Sequence, residues 1–199
     1  GKYLNFIRLI AGGGNFGLAG TAAVKFALTA ALNDANAEVL RMAEEKEDGS
    51  LDGMGTTLVA LLVAEDIPAA FCLNVGDSRL YDITPTEIAQ ITRDHSYVQH
   101  LIDIGKLTYE QAQSSPVRNV IMRAVGTEES VTGDIISVPC HGKRWYLLCS
   151  DGLSGCVSEA RIHSIVGSKL PLKQKADSLI AAAIEAGAPD NITVLIAEL

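Results

Sequence analysis

Apolar positions are grouped differently along the chain, and the grouping defines its elements. From Tyr3 to Ala11 they are dense enough for a strand, and the glycine-rich "AGGGNFGLAG" follows. Beyond it Leu18, Ala19, Ala22, Ala23, Phe26, Ala27 and Ala30 recur at steps of three and four. That spacing predicts a helix burying this alanine-rich face and running on towards Glu45. "EEKEDGS" reads as a charged connection. The pattern then changes to three β-rich runs, "TTLVALLVA", "AAFCLNV" and "RLYDIT", which Pro68 and the turn Gly76-Asp77-Ser78 punctuate as hairpins. A less regular helical stretch spans 96–123. Strands follow at 134–138 and 144–149, helices at 158–166 and 172–186, and "NITVLIAEL" closes the chain as a strand.

Composition bounds what these elements can build. At 199 residues, 48% hydrophobic and 20% charged, the chain can bury one substantial core, so residues 1–199 are expected to form a single domain. The formal net charge of -8 leaves no basic stripe for a phosphate backbone or an anionic lipid surface, which argues against nucleic-acid and membrane partners. No apolar run reaches the roughly 18–20 residues that span a bilayer, and the start has no signal-peptide pattern. A cytoplasmic location is expected. Cys72, Cys140, Cys149 and Cys156 contain no C-x-x-C pair, and Cys72 and Cys149 fall inside strand-like runs where a reduced thiol packs. The chain opens at Gly1, not Met, and a trimmed start with an N-terminal strand missing is expected.

Gly12, Gly14 and Gly17 fit G-x-G-x-x-G directly after a predicted strand. A dinucleotide fold also needs a second parallel strand soon after the first helix and an acidic residue about 20 positions past the glycines. Asp34 and Glu38, the candidates, fall within the continuing helix, and the later strands read as hairpins, which pair antiparallel. The nucleotide reading is therefore weak.

Aspartates at strand ends carry more chemistry. Asp151-Gly152 ends the strand in "WYLLCSDGLSG", Asp190-Asn191 opens another in "GAPDNITVLIAEL", and Asp77 sits in the turn of "LNVGDSRLY". Carboxylates converging on one sheet edge repel unless a proton or cation intervenes, and such hard oxygen ligands suit magnesium or manganese. Asp, Asn and Gly are also ordinary turn formers, and each aspartate taken alone has that second reading.

In this order "GMGTTLVALLV", "LNVGDSRLY", "ITRDHSYVQHLIDIGKLT", "RNVIMRAVGT", "LLCSDGLSGCVS" and "APDNITVLIAEL" resemble the metal-dependent type 2C Ser/Thr protein phosphatases, the PPM family, in its compact bacterial form. The resemblance implies an α+β fold, a four-layer α-β-β-α sandwich of two antiparallel sheets flanked by helices. At one end it implies a Mn2+ or Mg2+ centre where an activated water attacks phosphoserine or phosphothreonine. Asp151 and Asp190 match the family's metal-binding Asp-Gly and Asp-Asn, and Asp77 matches the aspartate that joins Asp151 at a third metal. Residues 96–123 correspond to the flap beside the active site, where Arg118 and Arg123 are candidates for phosphoprotein recognition.

The first metal motif of that family, Asp-Gly-x-Gly-Gly-His, is degenerate here. Its slot is "AGGGNFGLAG", with Gly12 in place of the aspartate that bridges two metals, and Gly13 able to offer only its backbone carbonyl. The strand bearing the phosphate-gripping arginine is absent, and Ser115 stands where relatives often carry a histidine. Asp52-Gly53 belongs to the second motif. Arg79 is expected to pair with a nearby acid and His95 to serve a turn or cap. Two expectations follow: a Ser/Thr phosphatase that opposes a kinase, with impaired activity and reduced metal occupancy, or an inactive pseudophosphatase that binds phosphoproteins or a kinase.

Overall fold

A computed structural model describes residues 3–11, 20–45, 49–63, 69–138, 140–188 and 190–199. Strand β1 (Tyr3–Ala11) precedes the 25-residue helix α1 (Gly20–Glu44), and β2 (Gly55–Val63) and β3 (Ala70–Val75) follow. Next come β4 (Arg79–Ile83), β5 (Ile88–Gln90), and the short helices α2 (Tyr97–Asp103) and α3 (Tyr109–Gln113). The remainder is β6 (Asp134–Val138), β7 (Trp145–Cys149), α4 (Asp151–Ser154), α5 (Glu159–Val166), α6 (Leu172–Glu185) and β8 (Val194–Glu198).

Two four-stranded sheets form, in the orders β1-β2-β3-β6 and β5-β4-β7-β8. Side chains alternate between faces, so each sheet serves two cores. Val59 and Leu61 of β2, Cys72 of β3, Leu80 of β4, and Tyr146 and Leu148 of β7 pack between the sheets. Their neighbours Ala60, Leu62, Phe71 and Leu73 face α1, while Tyr81, Ile83, Leu147 and Cys149 face α4, α5 and α6. Helix, sheet, sheet and helix thus make the expected four-layer α+β sandwich. One pairing departs from antiparallel: β1 runs parallel to β2, from Tyr3↔Gly55 to Ala11↔Val63. Helix α1 is the long crossover that a parallel pair requires. The sheet then continues antiparallel through β3 and β6, so it is not a doubly wound dinucleotide sheet.

The buried face of α1 differs from the alanine-rich one predicted. Val24, Leu28, Leu32 and Asn36 are buried, whereas Phe26 is 77% exposed and Ala22 and Ala27 face outward. Alanines occur around much of the helix, so its orientation is set by the larger branched side chains that fill the groove over the sheet. Asn36 adds a polar anchor: its Oδ1 accepts from the Gly126 N–H at 2.7 Å and its Nδ2 donates to the Glu128 carbonyl at 2.9 Å. A second correction concerns Gly76-Asp77-Ser78. It is not a hairpin turn but a corner, carrying the chain from β3 in one sheet to β4 in the other. β3 already has β2 and β6 on its two edges, and β4 pairs with β5 and β7 instead.

Candidate metal centre and substrate cleft

Ladder register brings the aspartates together. Arg79 of β4 pairs with Cys149 of β7, so two residues beyond that shared end Asp77 stands opposite Asp151. Cys149 in turn pairs with Val194 of β8, which carries Asp190 and Asn191 to the same end. Gly152 makes the approach possible: a Cβ there would meet the Asn191 carbonyl oxygen at 2.3 Å. Ser150 ties the two strands, its Oγ donating to the Asn191 carbonyl at 3.1 Å and accepting from the Thr193 N–H at 3.0 Å. Asp190 accepts at Oδ1 from the Asn191 N–H at 2.7 Å.

The corner is equally constrained. Gly76 has φ 108, and a Cβ on it would lie 2.4 Å from Thr57 Cγ2, so glycine is required by both conformation and space. Thr57 Oγ1 and Ser78 Oγ meet at 2.8 Å and join the sheets there. Asp77 is 8% exposed. Burial, then the Asp151 and Asp94 carboxylates, push its carboxyl up to about 7.

Asp77, Asp151 and Asp190 line one cleft of roughly 620 Å³ between the flap and α4–α5, together with Val98, Ile102 and Arg118. A buried carboxylate raised by a facing carboxylate is the environment that a hard divalent cation relieves, so these donors fit manganese or magnesium in kind. Among the described residues no three His, Cys, Asp or Glu side chains stand close enough to hold an ion by themselves. Gly12 and Gly13 lie outside the described residues. Ala11, just before them, pairs with Val63, five residues along β2 from Leu58, the partner of Val75. At about 3.3 Å per residue this is roughly 17 Å towards the end of the sheet away from Asp77.

The other expected residues separate by partner. Arg79 is committed to Asp94, with Nη2 donating to Oδ2 at 2.7 Å and Nε to Oδ1 at 3.0 Å, as its acidic surroundings suggested. Arg118 lines the cleft, whereas Arg123 donates from Nη1 to Asp134 Oδ1 at 3.1 Å. Ser115 accepts from the Val117 N–H at 3.4 Å within a flap turn. All four cysteines are free, and burial pushes the Cys72 and Cys149 thiols up to about 12. No helix among the described residues is long and apolar enough to cross a membrane.

No family profile matches the chain. The "Serine/threonine phosphatase stp" of Listeria innocua is 41% identical over 167 residues, covering 84% of this chain and 65% of that protein. The chain therefore spans just under two thirds of that relative's length. Among solved structures, Ser/Thr phosphatase Stp1 from Staphylococcus aureus superposes with TM-score 0.85 at 33% identity, over 92% of this chain and 70% of that one. The chain belongs to the PPM phosphatase family. A further PPM structure, the catalytic domain of the Ser/Thr phosphatase PstP in complex with two manganese ions, matches with TM-score 0.75 at 36% identity, over 86% of this chain and 70% of that one. The two-sheet sandwich is thus the PPM fold, and Asp77, Asp151 and Asp190 line one cleft of it.

The signal for Asp94 and His95, "RDHS", was visible in the sequence, but their partners were not. Asp94 is spent on Arg79, and His95 contacts both Gly76 and Asp134.

Proposed function

We propose that residues 1–199 form one PPM-type phosphatase domain that removes phosphate from phosphoserine and phosphothreonine in proteins, opposing a Ser/Thr kinase in the cytoplasm. The observation that carries this reading is the convergence of Asp77, Asp151 and Asp190 at one end of a cleft whose opposite wall is the flap. Too far apart to close a site by themselves, those three carboxylates would supply part of the oxygen ligands of a manganese or magnesium site. When bound, such ions neutralise phosphate charge and polarise water. Val98, Ile102 and Val157 line the cleft and keep part of its wall dry, and Arg118 faces it as a cation able to meet a phosphopeptide. Arg79, tied to Asp94, is not available to grip phosphate. Free thiols on all four cysteines support a reducing compartment.

The family resemblance places Gly12 where a bridging carboxylate belongs and leaves Gly13 only a carbonyl to offer. Loss of a supporting metal contact alone lowers affinity or activity about 10–100-fold, so weak turnover at reduced metal occupancy is the expectation. The same glycine favours the second reading, a pseudophosphatase that holds phosphoproteins or a kinase without hydrolysing them.

Manganese titration by calorimetry, run beside hydrolysis of a phosphothreonine peptide, tests the first reading. Asp151→Ala and Asp190→Ala should each weaken manganese binding and remove the residual turnover. Binding of the phosphopeptide with no turnover at any manganese concentration supports the pseudophosphatase instead.

A further inference from the structure

His95 sits where the flap joins the body, and hydrolysis as described above gives it no task. Its side chain is 9% exposed. Its backbone N–H donates to the Gly76 carbonyl at 2.9 Å, and its own carbonyl accepts from the Met122 N–H at 2.8 Å. On the ring, Nδ1 accepts from the Gly76 N–H at 3.1 Å, and Nε2 lies 3.1 Å from Asp134 Oδ2. An accepting Nδ1 fixes the tautomer of the neutral ring: the proton is on Nε2 and is donated to Asp134. Arg123 Nη1 lies 3.1 Å from both Nε2 and Asp134 Oδ1. Two donors do not bond, so Arg123 is held by the carboxylate and stands beside the ring.

The corner at Gly76, the flap and β6 meet at this residue. Gly76 leads into Asp77, Met122 and Arg123 end the flap, Asp134 starts β6, and Tyr97, at the entry of the flap, donates from its N–H to the Val120 carbonyl at 2.8 Å. A glycine at positive φ has no side chain to fix its conformation, so the direction in which the chain leaves it depends on what its peptide groups bond to. At Gly76 both the N–H and the carbonyl are taken by His95.

We propose that His95 is a positioning residue that aims Asp77 into the cleft by gripping both peptide groups of Gly76, and that Met122 and Asp134 tie this grip to the flap. The proposal rests on the reading of Asp77 as a metal ligand. It implies that the flap and one corner of the metal centre move as a unit, so contacts made to the flap are felt at Asp77.

The test uses the whole chain and two readouts: hydrogen exchange at the Gly76 amide, which needs no metal, and the manganese dissociation constant by calorimetry. Three substitutions separate the roles of the ring. His95→Asn places Oδ1 near the position of Nδ1 and keeps an acceptor for Gly76. His95→Gln reaches towards Asp134 but leaves the Gly76 N–H without its acceptor, and His95→Ala removes both. Gly76 exchange should quicken, and manganese binding weaken about tenfold, in His95→Gln and His95→Ala, with His95→Asn recovering most of both. A Gly76 amide that exchanges equally slowly in His95→Gln, or an Asn variant no better than the Gln variant, overturns the proposal. Asp77→Asn separates this from the underlying reading. If manganese binding survives Asp77→Asn, Asp77 is not a ligand, and Gly76 exchange still decides whether His95 holds the turn. If Asp77→Asn weakens manganese binding and His95→Gln does not, Asp77 is a ligand and His95 does not position it.

Discussion

The two ends of the sandwich differ in where their strand ladders lead. At the acidic end of the sandwich, Gly76 and Gly152 are each required by a named neighbour, Thr57 in one case and the Asn191 carbonyl in the other. Their tightness is what lets Asp77 and Asp151 face each other and Asp190 approach. The exit of β1 has the more suggestive sequence, yet Ala11 leaves the sheet next to Val63, far from Asp77. A carboxylate enters a metal centre through the register of its ladder, and the register of β1 as far as Ala11 leads to the other end of the sheet.

The largest effect is expected where a buried charge would lose its partner. Arg79 and Asp94 are 16% and 11% exposed, and Asp94→Ala should destabilise the protein by about 3–5 kcal/mol, read from the denaturant midpoint. Gly152→Ala comes next. Its methyl would press on the Asn191 carbonyl, separating Asp151 from Asp190, with a stability loss of about 1–3 kcal/mol and a matching fall in manganese affinity. Stability falling while manganese affinity stays unchanged would show that the spacing of the two aspartates does not matter.

Gly12→Asp sharpens the comparison directly. The family resemblance gives Gly12 the slot of a bridging carboxylate, whereas the register of β1, which ends with Ala11 beside Val63, predicts no gain in turnover. A gain of about tenfold or more, the size of a restored metal contact, would place the opening segment at the centre after all.

The smallest expected effect is on pH. Burial raises the Asp134 carboxyl, but His95 and Arg123 more than reverse this and hold it below the usual carboxylate range. A folded pKa depressed in this way contributes stability above the unfolded value, near about 4, and that contribution is lost as pH falls through the folded pKa. Asp134→Asn should therefore flatten the acid limb of a melting-temperature profile slightly, solvent screening of this half-exposed group keeping the change small.

Most strands were legible because their apolar runs are bounded by turn residues; 134–138 is an example. The destination of a turn was not. "VGDSR" reads as a hairpin because local chemistry specifies a reversal, while the change of sheet at Gly76 depends on the partners β2, β5, β6 and β7. The face of α1 was misread because alanine carries little directional signal, and the short β5 and α4 offered no periodicity. Asp77, Asp151 and Asp190, singled out through motif order, line one cleft. That Arg123 turns to Asp134 and Arg118 to the cleft depends on packing that spacing does not encode.

On the proposed reading Asp77, Asp151 and Asp190 belong to a working but incomplete metal centre. Manganese-dependent hydrolysis of p-nitrophenyl phosphate by the unmodified chain, with chelator and with Asp151→Ala as controls, tests it most directly. Slow turnover that both controls abolish is the predicted result. Turnover that survives Asp151→Ala, or that does not depend on manganese, would contradict it.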